Sequence, residues 1–140
     1  MAIAKDRFDQ ASTKFQVYSD FLNDLTPHPV VKDVVRYTNE DSVNRSIRNL
    51  LLTNKGERPY QPNLGTDIRK LLFEPMGSST ASLLSKFIEE TIRQYEPRAK
   101  VLNIQVTSFE EQNAYVVNLQ YLIINRQEPV NLSVTLNRAR

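Results

Sequence analysis

Four carboxylates stand where acid–base chemistry would have to begin: Glu57, Asp67, Glu74 and Glu96. A glycosidase needs two such groups across a sugar cleft, one of them held protonated by an apolar pocket. None of the four stands in a recognisable catalytic arrangement. Glu96 is next but one to Arg98, whose charge, if close, lowers rather than raises the carboxyl pKa. A serine–histidine triad would have to recruit His28, the only histidine, which lies in Thr26-Pro27-His28-Pro29, and no serine sits in a nucleophile-elbow sequence. The same lone ring lacks the convergent partners of a metal site. With no cysteine in the chain, thiolate ligands and disulfides are excluded. Only three glycines are present, and they form no phosphate-cradling loop. The residues therefore point away from an enzyme and imply no cofactor. A lysozyme-like glycoside hydrolase built on two of these carboxylates is the alternative.

Recognition is the chemistry that remains. In Glu96-Pro97-Arg98 the proline fixes φ at a corner and holds a carboxylate and a guanidinium at set angles. The arginine fork pairs bidentately with carboxylates, so such a corner can present it at little entropic cost. An internal salt bridge is the other use of these residues, and spacing alone favours it, because charge pairs of this kind are common and mostly contribute little. The loop Gly56-Glu57-Arg58-Pro59, continuing to Gly65, reads as structural. Its glycines permit unusual backbone angles, and Glu57 and Arg58 can satisfy loop backbone groups, Arg58 by bonding carbonyls. Arg36, Arg45, Arg48, Arg58, Arg69 and Lys70 could form a basic patch, but net charge is only +2. No aromatic platform accompanies them, so a nucleic-acid partner is not implied.

The elements that position these residues follow from periodicity. A chain of 140 residues, 40% hydrophobic and 24% charged, suits one folded domain with a modest core. Residues 1–14 are polar and read as an N-terminal arm, leaving 15–140 as the domain. No apolar run reaches membrane-spanning length, and the N-terminus lacks the apolar stretch of a signal peptide, so a soluble cytoplasmic protein is expected. Val30, Val31, Val34 and Val35 favour a short extended segment. Val43, Ile47, Leu50 and Leu51 share one helical face and predict a helix from about Glu40 to Thr53. A short helix is expected over Thr66–Phe73, with Ile68, Leu71 and Leu72 inward. A longer one should run from about Ser78 to Tyr95 with Leu84, Phe87, Ile88, Ile92 and Tyr95 inward, stopped by Pro97.

From residue 102 the period changes to two. Leu102, Ile104 and Val106 alternate with polar residues, as do Tyr115, Val117, Leu119, Tyr121 and Ile123 along a second stretch. In a third stretch Val130, Leu132, Val134 and Leu136 alternate with Asn131, Ser133 and Thr135. Each pattern is a strand with one buried face, and the short polar links between them favour an antiparallel meander. The expected fold is α+β and two-layered, with helices packed on a meander sheet of three or four strands. The last strand should lie at a sheet edge. It carries none of the charge that usually protects an edge, so either a partner adds a strand there or the chain's own N-terminal segment covers it.

Tyr18-Ser19-Asp20-Phe21, Asn49-Leu50-Leu51-Leu52-Thr53 leading into Gly56-Glu57-Arg58-Pro59, Pro62-Asn63-Leu64-Gly65, Leu72-Phe73-Glu74 and Tyr95-Glu96-Pro97-Arg98 form an ordered set with the appropriate element between each pair. Over roughly residues 18–136 this set resembles the gene-product-25-like baseplate wedge family, which is related to a type VI secretion baseplate subunit and has at times been labelled lysozyme-like. The resemblance implies a structural subunit of a contractile tail, located in the virion tail baseplate and assembled in the host cytoplasm. It implies docking to wedge core bundle subunits through Glu96, Pro97 and Arg98. It further implies sheath initiation, with the tail sheath protein contacting the edge strand Val130–Leu136, and contacts with other central or tail-tube-proximal baseplate proteins. Neither nucleic acid nor membrane is expected as a partner. Residues 1–14 match no shared pattern.

Overall fold

Helix α1, Glu40–Leu52, places Glu40 and Asp41 in its first turn, where the positive end of the helix dipole favours acids. Its apolar stripe of Val43, Ile47, Leu50 and Leu51 is buried as the spacing predicts. These features belong to a computed structural model that describes residues 17–21, 27, 32, 36–124 and 126–138. The N-terminal arm, His28 and the valines at 30, 31, 34 and 35 lie outside the described residues.

Two units are present, residues 1–39 and 40–140. In the first, strands β1 (Ser19–Phe21) and β2 (Arg36–Thr38) pair antiparallel. Asn39 closes the pair: its N–H donates to the Tyr18 carbonyl at 2.8 Å, and its Oδ1 accepts from the Val17 N–H at 3.0 Å. Asn39 takes φ +52, a region that asparagine tolerates better than most residues.

In the second unit, α1 is followed by α2 (Ile68–Leu71), α3 (Ser78–Tyr95) and three strands, β3 (Ala99–Phe109), β4 (Ala114–Ile123) and β5 (Pro129–Asn137). The strands form an antiparallel sheet in the order β3-β4-β5, the expected meander with β5 at an edge. Helix α3 lies along β3, and α1 packs on α3 and β5. The result is two layers, and the core sits between them. Cross-strand rungs line the inner face: Ser108–Tyr115–Leu136, Val106–Val117–Val134 and Ile104–Leu119–Leu132. Tyr115, Val117, Leu119 and Tyr121 of the central strand are fully buried or nearly so, and Leu84, Ile88 and Ile92 of α3 meet no solvent.

Three expectations need correction. The helix expected over Thr66–Phe73 is a single turn, Ile68–Leu71, because residues before it continue the preceding loop and Leu72–Glu74 turn away. Leu102 is not inward but 48% exposed. A register shift between Val101 and Asn103 leaves Leu102 as the extra residue of a bulge, so Val101 and Ile104 both face the core. Phe87 is 37% exposed. The narrow stripe at 84, 88 and 92 fills the interface with the sheet, and Phe87 falls on its flank.

Candidate functional site

Helix α3 ends because Pro97 cannot donate to the helical ladder. The N–H of Glu96 still donates to the Ile92 carbonyl at 2.8 Å, and the N–H of Ala99 donates back to the Glu96 carbonyl at 3.1 Å, closing a tight corner into β3. The corner is tied to β4 as well, since the Ile124 N–H donates to the Arg98 carbonyl at 2.9 Å.

The carboxylate of Glu96 points inward and is only 3% exposed. A buried carboxylate is costly unless paired and hydrogen-bonded. Here both needs are met. Arg98 donates through Nε to Oε1 at 2.5 Å and through Nη2 to Oε2 at 2.7 Å, the bidentate fork. Ser46 of α1, fifty residues away in sequence, donates its hydroxyl to Oε2 at 2.5 Å. Burial pushes the Glu96 carboxyl upward, but the bonds from Arg98 and Ser46 together outweigh it and hold the group below its ordinary value. Two residues earlier in α1, on the other flank of its apolar stripe, Asn44 Oδ1 accepts the Tyr121 hydroxyl at 2.8 Å. Burial, and then the charges of Glu96 and Asp41, push the Tyr121 phenol up to about 12.

Glu96 and Arg98 thus spend their facing atoms on each other. What reaches the surface is Pro97, which is exposed, and the Arg98 side chain, 33% exposed. Pro97 borders a shallow depression with Arg93, Lys100 and the half-exposed Ile124. The corner can offer a fixed proline, a guanidinium held by its own counter-ion, and an apolar neighbour. The bonds from Arg98 and Ser46 favour the ionised form of Glu96.

The loop from 53 to 66 is braced at several points. The Gly56 N–H donates to the Pro62 carbonyl at 2.7 Å, and the Thr66 N–H to the Thr53 carbonyl at 2.9 Å. Glu57 Oε2 accepts from the backbone N–H of Asn54 at 2.9 Å and from its side-chain amide at 3.3 Å. The Tyr95 hydroxyl, from the end of α3, donates to the Asn63 carbonyl at 2.5 Å. Gly56 and Gly65 both take positive φ, +86 and +117. At Gly65 a Cβ would lie 2.5 Å from the Thr53 carbonyl oxygen, so close approach as well as φ requires glycine. Arg58 and Pro59 are exposed, and Tyr95 braces the loop from the end of α3.

Along β5, Leu132, Val134 and Leu136 are buried, Val130 is half-buried, and Asn131, Ser133 and Thr135 are exposed. No charged side chain interrupts the strand, and its outer edge pairs with no other strand among the described residues. Of the other candidate carboxylates, Asp67 is held below its ordinary value by hydrogen bonds from Lys70 and then Lys55, each nitrogen 3.0 Å away. Among the described residues no group of acids or histidine could hold a metal ion, and no helix is long and apolar enough to cross a membrane. Sequence reasoning missed Ser46 and the Asn44–Tyr121 bond. Their only signal was a polar residue on each flank of the α1 apolar stripe.

Comparison with known proteins gives consistent results. The family model described as baseplate wedge protein gp25 matches residues 38–128, which contain the loop, the corner and strands β3 and β4. The baseplate wedge protein gp25 of Enterobacteria phage T4 is 31% identical over 99 residues, covering 71% of this chain and 75% of that protein. Among solved structures, a proposed tail lysozyme from Geobacter sulfurreducens shares the fold with a TM-score of 0.67 at 24% identity, over 72% of this chain and 92% of that one. A chain of the anti-feeding prophage baseplate does so with a TM-score of 0.61 at 17% identity, over 88% and 87%.

Proposed function

The chain belongs to the baseplate wedge protein gp25 family, and from that premise we propose that it docks to wedge core subunits through the Glu96–Pro97–Arg98 corner and starts the tail sheath along β5. It is a structural component of a contractile-tail baseplate. The observation that carries the docking reading is the bidentate Glu96–Arg98 pair, buried beneath an exposed proline and anchored by Ser46. A partner meets a surface whose shape is fixed before contact, so little ordering entropy is lost on binding. Sheath initiation is supported by the outer edge of β5, which pairs with no other strand among the described residues and so suits an added strand. Other central or tail-tube-proximal baseplate proteins are further partners, and the site of action is the virion tail, assembled in the host cytoplasm.

The protein acts without catalysis in this reading. A retaining or inverting glycosidase needs one carboxyl raised toward neutrality. Glu96 and Asp67 are both pushed the other way by their cationic partners, and Glu57 is engaged by Asn54.

The docking test must leave the buried pair intact. Arg98→Glu would set a second carboxylate against Glu96 and cost about 3–5 kcal/mol of stability, confounding fold with function. Lys100→Glu combined with Ile124→Asp alters only exposed side chains beside Pro97. Co-purification with the wedge core should fall at least tenfold while the melting temperature holds. Unchanged co-purification removes the corner as the docking site. For the sheath, Asn131→Lys with Ser133→Lys should block polymerisation on otherwise complete baseplates, since lysine on an edge strand discourages pairing. Sheaths of normal length would refute strand templating.

A further inference from the structure

A groove near the end of β5 lies apart from the corner and takes Asn54 alone from the loop. It runs between Leu52 at the end of α1, Arg69, Leu72 and Phe73 at α2, and Thr135 and Arg138 at the end of the sheet. Leu52 is 52% exposed and Phe73 62%. Single exposed apolar residues are ordinary, but two large ones facing a shared concavity mark a place where another surface fits. The groove is electrically one-sided. Among the described residues two arginines line it and no carboxylate does. Asp67, the acid at the start of α2, is already paired with Lys55 and Lys70. Glu74 follows Phe73 but is exposed and does not line the groove. Arg138 is held in place, since its Nη2 donates to the Phe73 carbonyl at 3.3 Å.

The groove also adjoins the outer edge of β5, which pairs with no other strand among the described residues. An extended segment added beside β5 would send every second side chain toward the helical layer, the same side to which Leu132, Val134 and Leu136 point. At the Leu136 end, such a side chain meets Leu52 and Phe73. We propose that this groove is the specificity pocket for the partner strand, accepting a large apolar side chain between Leu52 and Phe73 with a neighbouring carboxylate paired to Arg69 or Arg138. This inference rests on the reading of β5 as a strand-addition edge. It adds what that reading lacks: main-chain pairing gives affinity without selectivity, and the groove selects an acidic segment with a bulky apolar residue.

The test uses the full chain in assembled particles. The photo-crosslinking amino acid p-benzoylphenylalanine is placed at position 73 in one preparation and at position 133 in another, and the captured peptides are sequenced by mass spectrometry. The expected result is that both positions capture one partner segment. The residues caught at position 73 should include a large apolar side chain beside Asp or Glu. Arg69→Glu, on an exposed side chain, should lower the yield at position 73 about two- to fivefold, the equivalent of one exposed ion pair. The yield at position 133 should fall less. A captured segment that is basic or uncharged overturns the proposal, as does a yield at position 73 indifferent both to Arg69→Glu and to Arg138→Glu. Capture at position 133 with none at position 73 overturns the groove and leaves strand addition standing. No capture at either position removes both.

Discussion

Replacing Ser46 by alanine tests the internal logic of the corner. Ser46→Ala deletes one hydrogen bond to a carboxylate that is 3% exposed, so water cannot readily take its place. Bonds to charged groups contribute about 1.5–3 kcal/mol, and we expect a loss of about 2 kcal/mol. For a folded unit of about 100 residues this lowers the melting temperature by on the order of 10 °C at neutral pH. The pH dependence has a definite sign. The Glu96 carboxyl is held below its ordinary value of 4.5, so its contribution is complete above that value and is lost as pH falls below it. Removing Ser46 takes away one of the bonds that hold it down. In both proteins the loss begins as pH falls through the unfolded value, but in the variant, with its folded value less depressed, the loss should be smaller and finish at a higher pH, while Glu96→Gln should show no such acid-side loss from this site. Thermal melts followed by circular dichroism between pH 3.5 and 7 read all three. A Ser46→Ala variant that melts within about 2 °C of the parent across this range would refute the anchoring role.

The two positive-φ glycines should separate cleanly in thermal melts. Gly65→Ala meets both strain and the Thr53 carbonyl and should cost about 2–4 kcal/mol, whereas Gly56→Ala, with open space around it, should cost about 1 kcal/mol. Equal losses would show that loop packing is not the constraint. Tyr121, with its phenol pushed up to about 12, should remain protonated in the folded protein while an unfolded tyrosine ionises near 10. Stability should accordingly decline as pH rises from about 10 towards 12, and Tyr121→Phe should remove that part of the decline. Tyr95→Phe, which frees the Asn63 carbonyl, should cost about 1 kcal/mol and speed amide exchange in the loop; unchanged exchange would dismiss the brace. Incubation with peptidoglycan should give no release of reducing sugar above a blank, and measurable release abolished by Glu96→Gln would overturn the non-catalytic reading.

The long elements were legible because their apolar residues repeat with the period of the element. Val43, Ile47, Leu50 and Leu51 announced α1, and Tyr115 to Ile123 announced the central strand, buried on alternate residues as its pattern requires. The edge position of β5 followed from the short links of the meander. Leu102 misled because a bulge changes the count by one, and nothing in Val101-Leu102-Asn103 signals where the extra residue falls. Phe87 misled because helical spacing gives a broad face, while packing uses a narrow stripe of it. At the corner, the types and order of Glu96, Pro97 and Arg98 were visible, but the inward turn of the carboxylate was not. That depends on Ser46, whose distance in sequence hides it from any local pattern. The groove was illegible for the same reason: Leu52, Phe73 and Arg138 come from three separate elements.

The Ser46–Glu96 bond also bears on when the subunit becomes competent. Helices and the hairpins of the meander close over short stretches and can form early, while a contact across fifty residues closes a long loop and pays its entropy first. The guanidinium of Arg98 is therefore fixed only once α1 has settled on the rest of the unit. A nascent or partly folded chain carries the same three residues but not the same surface. If assembly reads the corner, it reads completion of folding at the same time, and immature subunits are screened out before they enter the growing particle.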